Sequence, residues 1–195
     1  ENQVPIAMVI PIPADIPGVI MGLESWLETV LFDPAGAQRV MDKVIPFYIR
    51  LLNGFFAAGA TFVAMPCGFA SPTIVTREIV TTFTRPILAQ VLAQLRGPVV
   101  LHNVGAPLLA HLDLLTGLPS VVAFIMDQRD DLARARRVVG PDIVLFGGLD
   151  CSNISMMTAV EVEDRCRAIL VERRQDPHFV LGTSGPDVVW NTPPE

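Results

Sequence analysis

Short apolar runs alternate with longer amphipathic segments along most of the chain. Six of these runs are too short for helices and predict strands buried on both faces, as in parallel sheets; they span 4–10, 61–65, 99–101, 121–125, 143–146 and 179–181. Between them, apolar residues recur at helical spacing, and Gly59, Gly97, Gly117 and Gly140 end a helical pattern shortly before the next run. The alternation predicts an α/β fold around a parallel sheet.

The longest helical pattern begins at Pro34, directly after Asp33, an arrangement favoured at helix starts. Apolar residues from Val40 to Phe55 fall on one stripe of this helix, which we expect to pack into the core. A shorter pattern before it covers residues 21–31, and another covers 108–115.

A parallel sheet of this kind closes either as an open doubly wound sheet or as a (β/α)8 TIM barrel. The chain contains no Gly-x-Gly-x-x-Gly or phosphate-loop motif, which weakens the nucleotide-binding, doubly wound alternative. We therefore predict a partial TIM barrel of about six βα units, with residues 1–195 as a single domain. On this interpretation the missing strands precede Glu1 and a last helix follows Glu195.

Charge and cysteine content narrow the classes of function. The net charge is −6 and the basic residues are scattered, which argues against a nucleic-acid partner. Arg134, Arg136 and Arg137 do cluster, but beside Asp130 and Asp131 they predict a solvated helix face. Three cysteines do not form a disulfide framework, so the sequence favours the cytoplasm.

High hydrophobicity does not predict a membrane protein here. Hydrophobic residues make up 51% of the chain and the mean hydropathy is +0.47. However, glycines and prolines interrupt the longest uncharged run, residues 51–76, and no signal-peptide pattern opens the sequence. Doubly buried strands account for part of the apolar content.

Ionisable or sulfur-containing residues follow nearly every predicted strand or its loop, whereas the strand interiors are apolar. Because the carboxyl ends of the strands of a barrel share one mouth, this distribution predicts an active site there. The residues concerned are Asp15, Cys67, His102, Asn103, Asp127, Asp150, Cys151, Ser184 and Asp187.

Two chemistries fit this set. Cys67, His102 and Cys151 could bind zinc and leave a fourth position for a substrate thiol, although two small buried cysteines would look the same in the sequence. Alternatively, Asp15, Asp127 and Asp150 could stabilise or protonate a substrate, with His102 as acid–base partner. The candidate catalytic residues are His102, Asp127 and Asp150. Asp15, Asn103 and Ser184 complete the prediction as candidate substrate-binding residues.

Several short segments carry a resemblance to a known family. They are Met21-Gly22-Leu23-Glu24-Ser25-Trp26-Leu27 with Asp33-Pro34, Leu101-His102-Asn103-Val104-Gly105, Phe146-Gly147-Gly148-Leu149-Asp150, Leu181-Gly182 and Thr192-Pro193-Pro194-Glu195. In order and spacing they resemble the uroporphyrinogen decarboxylase superfamily, which includes corrinoid-linked methyltransferases such as methylcobalamin:coenzyme M methyltransferase. The resemblance covers nearly the whole chain, corresponds to the C-terminal two-thirds of a family member, and implies a (β/α)8 barrel.

The resemblance implies two branches of function. The segments at Met21 and His102 look more like the methyltransferases. A resemblance to that branch implies zinc, a corrinoid on a partner protein, and a His-x-Cys pattern of ligands with a distant second cysteine. His102 matches the first ligand, while Val104 and Pro186 stand at the other two positions.

The decarboxylase branch implies no cofactor, uroporphyrinogen or a related polycarboxylate as substrate, and an arginine-rich segment that would precede Glu1. A non-catalytic, degenerate barrel is a third interpretation. A small molecule or a corrinoid protein is the expected partner, and a homodimer stays open.

Overall fold

Parallel strands and helices alternate through residues 4–185, 189–190 and 192, which are the residues that the computed structural model describes. The strands among them are β1 (Ala7–Val9), β2 (Phe62–Pro66), β3 (Val99–His102), β4 (Val121–Ile125), β5 (Val144–Leu149) and β6 (Phe179–Thr183). All six predicted strands are present, and their bounds differ from the predicted ones by a few residues.

Helices connect these strands. They are α1 (Ile16–Met21), α2 (Leu23–Phe32), α3 (Pro34–Ala57), α4 (Arg77–Ile79), α5 (Arg85–Leu92), α6 (Leu112–Leu115), α7 (Leu132–Val139) and α8 (Ala159–Arg173). A π-helical stretch, Val80–Thr84, joins α4 to α5. As predicted, Asp33 caps α3, with its carboxylate accepting a hydrogen bond from the Gly36 amide.

The strand order decides between the two predicted closures. Within the described residues the sheet runs β1-β2-β3-β4-β5-β6, and every neighbouring pair is parallel. A doubly wound sheet would reverse direction at a switch point, which this order does not do. The fold is therefore the predicted partial TIM barrel.

The sheet is strongly curved. The Asn103 side-chain amide, just after β3, donates to the Ser184 carbonyl oxygen, just after β6, at 3.0 Å. In a flat sheet these strand ends would stand roughly 14 Å apart, since three strand spacings separate them. The bond is possible only because the sheet curls as a barrel wall does.

Side chains of the central strands β2 to β5 alternate between two apolar layers, whereas β1 and β6 at the edges are partly exposed and do not have the predicted burial on both faces. Residues such as Val63, Met65, Val99 and Leu101 pack outward into the main core beneath the helices. The intervening residues form a smaller inner layer on the concave face, consisting of Ala64, Val100 and Ala123 with Phe62, Ile125, Val144 and Phe146 packed against them. Burial on both faces explains the continuous apolar runs in the sequence.

Two predicted helices differ from the structure for local reasons. The pattern at 21–31 belongs to two helices, because Gly22 breaks it with a positive φ of 94°. The pattern at 108–115 gives only α6, because the Leu108 and Leu109 amides donate to the Asp130 carboxylate instead of starting a helix.

The predicted solvated face of α7 is wrong at one position. Arg134 and Arg137 are exposed, but Arg136 is largely buried and pairs with Asp176 at 2.9 Å. Its guanidinium also donates to the carbonyl oxygens of Gly140, Ile143 and His178. Arg136 therefore joins the end of α7 to the segment that enters β6.

Within the part of the chain that the structure describes, no helix combines the length and apolarity needed to cross a membrane.

Candidate active site

The concave face of the sheet encloses an apolar cavity of about 360 Å³. It is lined by Ala7, Val9, Phe62, Ala64, Pro66, His102, Ile125, Phe146, Gly182, Thr183 and Gly185. The lining comes from all six described strands or the residues that follow them, as expected for the interior of a barrel. His102 is the one ionisable residue among these described lining residues, so we call the space the His102 cavity.

His102 occupies the last position of β3 and is 8% exposed. Burial lowers its pKa, so the imidazole is neutral at pH 7. Its buried Nδ1 has no hydrogen-bond partner among the described residues. An unmet hydrogen bond of this kind costs about 1–3 kcal/mol, and a bound water, a ligand or a catalytic role can account for it. The geometry leaves His102 able to act on a ligand in the cavity.

Asn103 supports the site and does not line the His102 cavity. Its side-chain amide, 1% exposed, donates to the carbonyl oxygens of Ile125 and Ser184, and its side-chain oxygen accepts from the Gly105 amide. These bonds join the ends of β3, β4 and β6 around the mouth. The substrate-binding role predicted for Asn103 stays a prediction, whereas its bridging contacts are structural.

The structure does not bring the predicted zinc ligands together. Cys67 continues the outward-facing series of Val63 and Met65, so it lies in the core on the opposite side of the sheet from His102. Its buried thiol donates to the Met65 carbonyl, and burial, helped by the charge of Asp15, raises its pKa. A buried, protonated thiol is a poor zinc ligand.

Cys151 lies elsewhere, with its sulfur 3.7 Å from the Ser184 hydroxyl. Among the described residues no group of three His, Cys, Asp or Glu residues could hold a metal ion. The donor set therefore does not fit zinc within this part of the chain. Pro186 and Asp187 lie outside the described residues.

Asp127 lies two residues after β4 and forms a tight ion pair. Its carboxylate, with the side chain 1% exposed, accepts from the Arg129 Nε at 2.6 Å and Nη2 at 3.0 Å. Burial alone would raise the pKa of Asp127, but the hydrogen bonds and charge of Arg129 outweigh burial and lower the pKa. The Asp127 carboxylate is therefore ionised and bonded to Arg129. This state is better suited to positioning Arg129 than to donating a proton to a substrate.

Arg129 is a rim residue that the sequence analysis did not single out. Its Nη2 also donates to the Gly105 carbonyl oxygen at 2.9 Å, so it links the end of β4 to the loop after β3. Hydrogen bonding to Asp127 raises its pKa most, and the charges of Asp130 and Asp150 add to this. The only feature of the sequence that could have indicated this role is that Arg129 follows Asp127 by two residues.

Asp150 does not line the His102 cavity. Its carboxylate accepts from the Ser152 and Asn153 amides and from the Asn153 side chain, and it borders a separate groove towards α8. In a regular strand, residues 148 and 150 would share the concave face of the sheet with Phe146. Instead, Gly147 and Gly148 have positive φ angles, and a Cβ on Gly148 would point at Ile169 of α8. The paired glycines turn the strand end outward.

Ser184 and Asp15 complete the predicted set. Ser184 is 3% exposed and uses its backbone at the mouth, donating to the Leu149 carbonyl and accepting from Asn103. Asp15 lies beside the mouth in a groove of its own, where burial raises its pKa to about 7 against the opposing hydrogen bonds of Phe69 and Gly68. The predicted residues thus share one end of the sheet, while only His102 enters the central cavity.

Comparison with known proteins shows the family and the fold of the chain. The family model described as Uroporphyrinogen decarboxylase (URO-D) matches residues 1–195. The chain belongs to this family. As a URO-D family member it shares its fold with a methyltransferase from Methanosarcina mazei, at a TM-score of 0.83 and 15% identity, over 99% of this chain and 56% of that one.

A second solved structure has the same fold at lower similarity. It is described as a vitamin-B12 independent methionine synthase from Listeria monocytogenes, with a TM-score of 0.60 and 14% identity over 94% of this chain and 58% of that one. This URO-D family chain therefore spans little more than half the length of either structure. No curated protein gives a significant match.

Proposed function

We propose that this URO-D family chain forms part of an enzyme that transfers a methyl group to or from a corrinoid protein. The observation that carries the proposal is the His102 cavity, in which a neutral imidazole is enclosed by apolar side chains. The fold shared with the Methanosarcina mazei methyltransferase supports it.

The lining favours an apolar reacting group over a polycarboxylate. Recognition of several carboxylates needs arginine or lysine side chains, which bind them as charge-assisted hydrogen-bond donors. The described residues that line the His102 cavity include neither. A methyl group needs only apolar walls, which this cavity offers.

His102 would handle the proton of the reaction. A neutral imidazole can accept the proton from the thiol or other acidic group of a methyl acceptor. The acceptor's electron pair then forms its bond to the methyl carbon. The bond between that carbon and the corrinoid breaks as this happens, and its electron pair stays with the corrinoid. Asn103 keeps the end of β3 in place during this step through its bonds to Ile125 and Ser184.

The test is transfer of a methyl group from a methylated corrinoid to a thiol acceptor by the protein, compared with His102→Ala. We expect the variant to lose about 100-fold or more in rate, because general acid–base groups contribute on this scale. His178→Ala is the matched control, since His178 is exposed and lies outside the cavity. No turnover by the unaltered protein, or an equal rate in His102→Ala, would contradict the proposal.

Cofactor-free decarboxylation of uroporphyrinogen is the second candidate, and the description of the matching family model favours it. Incubation of the same preparation with uroporphyrinogen, followed by chromatography of the porphyrins, separates the two. Products that have lost carboxyl groups would support this candidate. Inactivity in both assays would support the non-catalytic barrel.

A further inference from the structure

A second opening lies beside the barrel mouth and contains a single carboxyl group. This open groove, with a volume of about 260 Å³, is walled mostly by apolar side chains, and Asp15 is its one ionisable described lining residue. We call it the Asp15 groove. The apolar residues that matter here are Pro11, Val19, Leu23, Phe69, Ile74 and Val104.

The Asp15 carboxyl is held in place by the backbone. One oxygen accepts from the Gly68 amide at 2.9 Å and the other from the Phe69 amide at 2.5 Å. Its titratable neighbours are Tyr48 from α3 and Cys67 after β2, whose pKa values are both raised, by burial first and then by the charge of Asp15. Both are therefore neutral at pH 7, and neither supplies a positive charge.

The loop that donates these hydrogen bonds is itself fixed. The Phe69 carbonyl accepts from the Thr84 hydroxyl at 2.6 Å, and the Ala70 carbonyl lies 3.0 Å from Nδ1 of the buried His111. On the other side, the Trp26 indole donates to the Ala14 carbonyl at 2.7 Å. Asp15 thus has a preorganised position, so a ligand would not have to order it.

A buried carboxyl without a counter-charge favours either a proton or a cation. Burial in apolar surroundings penalises the ionised form, and a positive charge within about 4–6 Å reverses that penalty. The walls of the Asp15 groove add a preference for an apolar body. We propose that the Asp15 groove binds the ammonium group of a small alkylamine, with its alkyl chain against Val19, Leu23 and Val104.

The inference extends the proposed function. A role of the amine as a substrate would rest on the proposed methyl transfer. Pro66 lines both the Asp15 groove and the His102 cavity, so a ligand held at Asp15 lies next to the candidate reaction site. Binding itself does not depend on turnover. It can therefore be tested even if the methyl-transfer proposal fails.

The affinity of the amine should depend on pH with a defined sign. The pKa of Asp15 is about 7 without a ligand, whereas an alkylamine stays protonated well above that pH. Raising the pH through 7 ionises Asp15, so binding should tighten between pH 5.5 and 8. The expected gain is roughly tenfold per pH unit below 7, with a plateau above it.

The experiment measures binding of propylammonium chloride and of 1-propanol to the chain by calorimetry at fixed ionic strength. The two probes have the same size and differ in charge. We expect propylammonium to bind at least tenfold more tightly than propanol at pH 8, and Asp15→Asn to abolish the difference. Asp33→Asn is the matched control, because the Asp33 carboxylate also accepts a backbone hydrogen bond but lies outside the groove.

Three outcomes would overturn the inference: equal affinity for the two probes, unchanged affinity in Asp15→Asn, or binding that weakens as the pH rises from 5.5 to 8. Asn in place of Asp turns one acceptor into a donor that faces a backbone amide, so this variant can fail to fold. In that case the pH dependence of the unaltered chain decides the question.

Discussion

The surroundings of His102 and Cys67 differ because their side chains lie on opposite faces of the sheet. The two residues are neighbours in the sheet, since the Cys67 amide donates to the His102 carbonyl. Their side chains nevertheless lie on opposite faces, because side chains alternate along each strand. His102 therefore lines a cavity, and its buried Nδ1 is unpaired within the described residues, while Cys67 is part of the packed core.

The lowered pKa of His102 predicts a pH dependence of stability. In the unfolded chain a histidine has a pKa of about 6.5, whereas burial holds the folded value below this. The unfolded state then binds more protons below pH 6.5, so the free energy of unfolding should fall as the pH drops from 7.5 to 5.5.

Urea unfolding of the unaltered chain and of His102→Gln at both pH values measures this effect. The fall should be smaller in the variant. Asp15, whose raised pKa favours the folded state at lower pH, acts in the opposite direction in both proteins. The difference between them therefore reports His102 alone, and identical slopes would contradict the assignment.

Individual elements are joined by a few buried polar contacts that local pattern does not reveal. Arg136 belongs to a segment that reads as a solvated helix, yet its guanidinium lies between α7 and the entry to β6. Its neighbours Arg134 and Arg137 are exposed, as the pattern predicts. Three arginines in four positions thus have two different roles, which depend on where α7 lies against the sheet.

We expect Arg136→Ala to lower the free energy of unfolding by about 3–5 kcal/mol, the usual cost of removing one partner of a buried ion pair. Asp176 would lose its charge partner, and the Gly140 and Ile143 carbonyl oxygens would lose the bonds from the guanidinium. The His178 carbonyl would lose one of its two donors and keep the Leu145 amide. Arg134→Ala is the control and should change stability by less than about 0.5 kcal/mol. Chemical denaturation compares the two, and similar values would show that the contact does not stabilise the fold.

At the scale of the whole molecule, the curvature of the sheet creates the candidate site. Curling places the ends of β3 and β6 within reach of the Asn103 side chain and encloses the His102 cavity on the concave face. A flat sheet with the same strand order would leave that face open. Cavity and curvature are therefore a single structural property.

Asn103→Ala tests this link. The substitution removes the side-chain donor of the buried Ser184 carbonyl and the acceptor of the Gly105 amide, so we expect a loss of about 2–4 kcal/mol in the free energy of unfolding. The Ile125 carbonyl keeps its bond from the backbone amide of residue 103. Asn153→Ala, at an exposed position on the same rim, should cost less than about 1 kcal/mol. Equal losses measured by urea unfolding would mean that the bond does not hold the barrel curved.

The alternation of short apolar runs and helical patterns was enough to predict the strands and their parallel pairing, and the absence of a nucleotide-binding motif favoured the barrel over the doubly wound sheet. These properties depend on residues close together in the chain: glycine stops, caps such as Asp33, and runs buried on both faces. The family resemblance was equally readable, since it rests on the order and spacing of short segments, and the URO-D match confirms it.

Only the tertiary structure decided which of the candidate site residues lie together and how their surroundings change their pKa values. The paired turn at Gly147 and Gly148 moved Asp150 away from the cavity, and strand alternation separated Cys67 from His102. Burial gave Asp15 its raised pKa, and Arg129 gave Asp127 its lowered one. All of these depend on which face a residue occupies and on what lies opposite it, and residues far apart in the chain supply those neighbours.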